Sequence, residues 1–333
     1  MGSVLGAGPF LLLFVVTALV FNFLNGFNDS ASTVATLISS RAMSPRAALL
    51  LSAVANFAGP FLFGVAVATT IGREVIAEEA ATIPAVLAAL VGAIGWNLIT
   101  WLLGIPSSSS HALVGGLVGA AAISYGFDAI LLPGLGKILV ALFVSPIAGM
   151  LAGYLLMKTT LFLARGATPR INMFFRRAQV VTATALALSH GTNDAQKTMG
   201  IITMGLLAGG VLHHFHVPTW VIIACAGAMA LGTMMGGWRI IHTLGGKFYK
   251  IRPIHGFTSQ IASATVILVA ALVGGPVSTT HVVSSAILGV GAAERVNKVR
   301  WTVVGHIVTA WLLTIPAAAL MAMLSYTLIE RLF

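Results

Sequence analysis

The chain has 333 residues, of which 58% are hydrophobic and only 8% charged, and its mean hydropathy is +1.00. A soluble domain carries roughly 25% charged residues, so the composition excludes a soluble fold and points to an integral membrane protein. The net charge of +10 lies almost wholly in short loops between apolar runs, which marks it as topogenic and argues against nucleic acid as a partner.

Ten apolar segments follow in chain order, at roughly 9–27, 46–71, 83–103, 107–125, 137–163, 178–210, 218–241, 254–274, 277–293 and 301–329. About 20 apolar residues cross a ~30 Å hydrocarbon core. Only helices or closed barrels satisfy the backbone there, and the alternation of a barrel is absent. The predicted class is therefore all-α, in the lipid bilayer. No Lys or Arg precedes the first run, so it reads as a spanning helix and not as a cleavable signal peptide. The lone cysteine, Cys225, excludes an intrachain disulfide. Segments on either side of Pro106, and again of Pro276, are almost contiguous, which predicts helix breaks or re-entrant hairpins at these prolines.

Charge in the loops alternates. Arg41 and Arg46, the run Lys158 to Arg177, the group Arg239 to Arg252, and Arg295, Lys298 and Arg300 occupy alternate loops; Arg73 with Glu74, Glu78 and Glu79, then Asp128, then His213, His214 and His216 occupy the others. The positive-inside rule puts both termini outside and the central basic loop inside. Five segments precede that loop and five follow it. The expected organisation is a first membrane repeat over 1–164, a basic cytoplasmic linker over 165–177 and a second repeat over 178–333. An odd number of crossings per repeat makes the second copy inverted, which places a shared site near the bilayer centre.

Two polar strings recur in these halves. Gly26-Phe27-Asn28-Asp29 returns as Gly191-Thr192-Asn193-Asp194, and Pro106-Ser107-Ser108-Ser109-Ser110-His111 returns as Pro276-Val277-Ser278-Thr279-Thr280-His281. Asp29 and Asp194 are the only acids inside apolar segments, and Lys197 is the one clearly embedded base. An ionised group at that depth costs ~2.5–3.5 kcal/mol or more, so it is retained where it faces a cavity and a partner. Gly26 and Gly191 are expected to open their helices and free carbonyls. Those carbonyls, with Asn28, Asp29, Asn193 and Asp194, form a hard-oxygen set suited to sodium, or the carboxylates carry protons. Pro106 and Pro276 each begin a helical run. A helix start offers free N–H groups and partial positive charge to an anion, and Ser107, Ser108, Ser109, Ser110, Ser278, Thr279 and Thr280 add hydroxyl donors. Ordinary N-capping by one Ser is the alternative for any single cluster. His111 and His281 raise a second alternative, a Ser–His pair in an intramembrane hydrolase; two equivalent sets count against it. An oxyanion alone would be repelled by Asp29 and Asp194, so charge balance requires a cation to enter with it.

At these residues the chain resembles the inorganic phosphate transporter (PiT) family of bacterial and archaeal type. The resemblance rests on 26–29, on Ser189-His190-Gly191-Thr192-Asn193-Asp194-Ala195-Gln196-Lys197-Thr198-Met199-Gly200, and on the two Pro-Ser/Thr strings. It implies import of inorganic phosphate across the cytoplasmic membrane by symport with sodium or protons, without a cofactor or an enzymatic activity. It also implies an elevator or rocking movement, and it adds Gln196 and Lys197 as phosphate candidates. Departures are Ser32 and Lys197, which stand where the pattern has Asn, and Ala35 where it has Gly. Lys197 follows Asp194 by three residues, a spacing that permits an ion pair on one helix face; the resemblance implies that it either occupies a place that a sodium ion fills elsewhere in the family or helps hold the anion. A sulfate or other oxyanion carrier, an anion channel and a hydrolase are the alternative readings. Gly-rich faces allow close helix packing, including that of a homo-oligomer.

Overall fold

The computed structural model describes residues 8–332, in twelve helices: α1 Pro9–Ser39, α2 Pro45–Leu62, α3 Ala66–Arg73, α4 Ile83–Leu103, α5 Ser109–Ser124, α6 Leu132–Leu163, α7 Ile171–Ala208, α8 Thr219–Met235, α9 Trp238–His242, α10 Pro253–Leu272, α11 Thr279–Glu294 and α12 Trp301–Leu332. Among the described residues the only β pairing is a bridge between Ile76 and Ile130. The two terminal residues, whose side of the membrane the loop charges predict, lie outside the described residues. Among the described residues six helices are long and apolar enough to cross a membrane, or seven if α8 with α9 and the π-turn after it, bent by 61°, count as one span. α7 is not among them because its centre, from Ser189 to Thr198, is polar.

Two apolar clusters lie at opposite ends of the molecule with a polar band between them. One joins the start of α1 and the end of α7 to α4 and α5, through residues such as Phe14, Leu90, Leu117 and Met204. The other joins the end of α1 and the start of α7 to α10 and α11, through Leu37, Leu186, Ile267 and Ile287. α1 and α7 therefore run antiparallel, and the two hairpins α4–α5 and α10–α11 enter from opposite ends. Each hairpin returns to the end it came from. At the first end Leu131 N donates to Val75 O and Ala77 N to Ala129 O; at the second Arg300 N donates to Phe248 O. The second end also carries the ion cluster of Glu294 with Arg252, His255 and Lys298.

The hairpin turns follow from two left-handed glycines, Gly104 at φ 65° and Gly274 at φ 74°, which end α4 and α10 two residues before Pro106 and Pro276. Small residues then let the outer helices close over the hairpins. Gly149 and Gly153 of α6 lie against Val282 and Ala286 of α11, while Gly115 and Gly119 of α5 lie against Ile315 and Ala319 of α12. The outward faces of α6 and α12, including Leu151, Leu155, Leu320 and Leu324, are exposed as lipid-facing surface.

Three local expectations change. α1 passes unbroken through Gly26, and α7 through Gly191. These glycines serve close crossings instead: a Cβ at Gly26 would meet the backbone of Met229 on α8, and one at Gly191 that of Asn56 on α2. The real breaks are at Gly64, φ 77°, between α2 and α3, and at Gly236, φ 73°, between α8 and α9. Finally, α7 begins at Ile171, inside the stretch 165–177 read as a linker. Overpacking a core costs about 1–3 kcal/mol, so Gly191→Ala should lower the melting temperature in detergent by several degrees. Gly227→Ala, where a Cβ meets nothing within 4 Å, should not.

Candidate functional site

The two hairpin tips meet at the middle of α1 and α7. Ser110 Oγ, at the start of α5, donates to Val277 O beside the start of α11 at 3.3 Å. Around this junction the hydroxyls turn on the two carboxylates. Thr280 Oγ1 donates to Asp29 Oδ1 at 2.5 Å, Thr279 Oγ1 to Asp194 Oδ2 at 2.7 Å, and Ser109 Oγ to Asn25 Oδ1 at 2.7 Å and Asp29 Oδ2 at 3.4 Å. Each hairpin thus serves the opposite long helix as well as the nearer one. Lys197 Nζ donates to Asp194 Oδ1, to Ser110 Oγ at 2.5 Å and to Val277 O at 2.7 Å. Asp29, Asp194 and Lys197 are 3%, 0% and 1% exposed, so this charged group is closed to both ends of the molecule.

His190 sits between the carboxylates. Its Nε2 is 3.2 Å from Asp194 Oδ2 and 3.9 Å from Asp29 Oδ2, but makes no well-aligned hydrogen bond. Asn56 Nδ2 donates to Thr233, which turns Asn56 Oδ1 toward His190 Nδ1 at 3.3 Å and assigns the ring proton to Nδ1. In a neutral ring the Nε2 lone pair then faces two carboxylates, an arrangement relieved by a proton or cation between them. The ligand atoms of Asp29, His190 and Asp194 lie within 4.8 Å of one another. Asn28 Oδ1 and Asn193 Oδ1 are buried acceptors with no hydrogen-bond partner, although their amide groups donate to Asn97 O and Gly275 O. Buried oxygens of this kind are rare in a core and have the chemistry to accept from a donor or to ligate a cation.

Other predicted residues have different tasks. Ser108 and Ser278 are N-caps, accepting from His111 N and His281 N. Ser107 pairs with Thr314 of α12 at 2.8 Å. Gln196 is committed to the break between α2 and α3: its Oε1 accepts from Val67 N and its Nε2 donates to Gly64 O. Ser30 on α1 does the same at the other break, accepting from Gly237 N. Each broken helix also braces a hairpin turn, through Thr70 on Gly274 O and Thr243 on Gly104 O. His111 and His281 pack ring against ring at 4.6 Å, and Trp311 stacks on His281 at 3.8 Å. Neither ring hydrogen-bonds a serine hydroxyl, so no Ser–His nucleophile pair exists among the described residues.

A model of the phosphate transporter family matches residues 25–322. The chain belongs to the phosphate transporter family. It is 47% identical over 322 residues to a "probable low-affinity inorganic phosphate transporter" of Rhizobium meliloti (strain 1021), covering 96% of each chain. It is 44% identical over 328 residues to one of the same description from Bacillus subtilis (strain 168), covering 97% of this chain and 98% of that one. A solved structure titled "The sodium-dependent phosphate transporter" superposes with a TM-score of 0.88 at 23% identity, over 98% and 100% of the two chains, and shares the fold. The chain is accordingly a multi-pass transporter and not an enzyme.

Sequence reasoning passed over two residues that this transporter places at the junction, His190 and Asn25, while Ser110, expected as a hydroxyl donor, also accepts from Lys197. A signal for His190 was present, since it precedes Asp194 by four residues on one helix face.

Proposed function

We propose that this transporter imports inorganic phosphate across the cytoplasmic membrane in symport with a cation, sodium or proton, with its basic end in the cytoplasm. The observation that carries the reading is the convergence, at one buried point, of two hydroxyl-bearing helix starts with two carboxylates. Asp29, Asp194, Asn28, Asn193 and His190 hold the cation. The starts of α5 and α11, with Ser109, Thr279, Thr280 and Lys197, hold the anion; Ser107, Ser108, Ser278 and Gln196 keep the tips and the α2–α3 break in shape.

Coupling follows from sharing. Without a cation the hydroxyls of Ser109, Thr279 and Thr280 are spent on the carboxylates. A cation arriving between the carboxylates takes over their neutralisation and releases the hydroxyls to phosphate. The matching order of helices before and after residue 165 supports two inverted repeats, whose hairpins approach the site from opposite faces. A rocking of the hairpins against α1 and α7 would then open each face in turn.

The test is counterflow in proteoliposomes with labelled phosphate and competing sulfate. Phosphate should exchange with saturation and sulfate should compete weakly; equal competition would make this an oxyanion carrier without phosphate preference, and flux without saturation would make it a channel. A hydrogen bond to a charged group is worth about 1.5–3 kcal/mol. Thr280→Val should therefore raise the KM for phosphate by roughly 10-fold or more, measured in the same vesicles.

A further inference from the structure

We infer that Lys197 is a built-in counter-ion that occupies the place of one transported cation, so that the carboxylate pair couples one cation and not two. The inference rests on the reading of Asp29 and Asp194 as the coupling groups.

The argument is the asymmetry between two equivalent positions. Ser32 stands three residues after Asp29 as Lys197 stands three after Asp194. Both are buried on long helices that run antiparallel through the junction. At Asp194 the carboxylate has a bonded ammonium. At Asp29 the carboxylate has hydroxyl donors and no ammonium; Ser32 Oγ and Asn28 Oδ1 beside it are buried without a partner. One half thus offers the oxygens of Asn28, Asp29 and Ser32 with no side-chain cation among them, whereas the other, where Asn193 Oδ1 is likewise unpartnered, carries its own ammonium.

Lys197 also makes the bonds of a cation and not of a neutral amine. Its three acceptors are a carboxylate oxygen, a backbone carbonyl, and a hydroxyl whose own hydrogen is committed to Val277 O. Three acceptors require three N–H groups, which only the ammonium has. Two of those acceptors belong to the two hairpin tips, so the ammonium sits where an ion would touch α7 and both hairpins together. Being tethered, it neutralises Asp194 in every turnover without crossing the membrane.

The test counts cations per phosphate from zero-flux balance in proteoliposomes, with phosphate gradients set against sodium gradients and, separately, against pH gradients. Lys197→Ser copies the first half and Lys197→Met keeps the volume without the charge. In either variant Asp194 must recruit an ion, and the count should rise by one over wild type. Lys197→Arg should leave the count unchanged. An unchanged count in folded Lys197→Ser or Lys197→Met would overturn the inference, because a merely structural lysine would alter rate and stability but not stoichiometry. Should neither variant fold, the wild-type count decides: one cation per phosphate supports the inference, and two overturn it. Wild-type uptake that ignores both gradients would instead refute the symport reading itself.

Discussion

Asp29→Asn should abolish gradient-driven phosphate uptake while leaving the protein folded. Asn has the same shape, so its Oδ1 still accepts from Thr280, and no buried cation is stranded because Asp29 has no ammonium partner. The stability change should stay within about 1 kcal/mol, the worth of an ordinary hydrogen bond. Losing the charge that holds the coupling cation removes an interaction of at least about 3 kcal/mol, so uptake should fall roughly a hundredfold or more. Labelled uptake and thermal unfolding of the same preparation check both halves of the expectation. Retention of full coupled uptake in Asp29→Asn would remove Asp29 from the mechanism.

Asp194→Asn should behave differently, although it is the same change at the matching position. Lys197 is 1% exposed and would lose its ion-pair partner. Removing one member of a buried pair costs about 3–5 kcal/mol, because the remaining charge is stranded. The melting temperature should drop sharply and transport should be lost with it. Asp194→Asn combined with Lys197→Met, which leaves no charge stranded, should recover most of the stability. Equal melting temperatures for Asp29→Asn and Asp194→Asn would contradict the asymmetry of the two halves.

Much of this site was legible in the sequence because burying charge in a membrane is costly. Two acids and one lysine inside apolar runs had to meet partners, and the i, i+3 pair of Asp194 and Lys197 is one of them. The proline-led Ser/Thr strings likewise announced helix starts, which the structure shows at α5 and α11 with Ser108 and Ser278 as caps. What misled was glycine. Gly26 and Gly191 beside the acids read as helix-openers, but glycine also serves close packing, and which role it takes depends on a neighbour that local pattern does not name. The backbones of Met229 and Asn56 are that neighbour. The actual breaks, at Gly64 and Gly236, lie within apolar runs where hydropathy continues across them. The role of Gln196 was equally hidden, because its partners Gly64 and Val67 are more than 120 residues away. His190 stood in plain view within the polar string, but a histidine gains meaning only when the fold sets it between Asp194 and Asp29 from another helix.

The central claim is that phosphate moves with a cation through the junction of the two hairpin tips. Its most direct measurement is accumulation of labelled phosphate in proteoliposomes of the wild-type protein under an imposed sodium gradient, and separately under an imposed pH gradient. The account predicts saturable accumulation above the external concentration under at least one gradient, collapsing when that gradient is dissipated by an ionophore. Phosphate that only equilibrates, at a rate indifferent to both gradients, would contradict it.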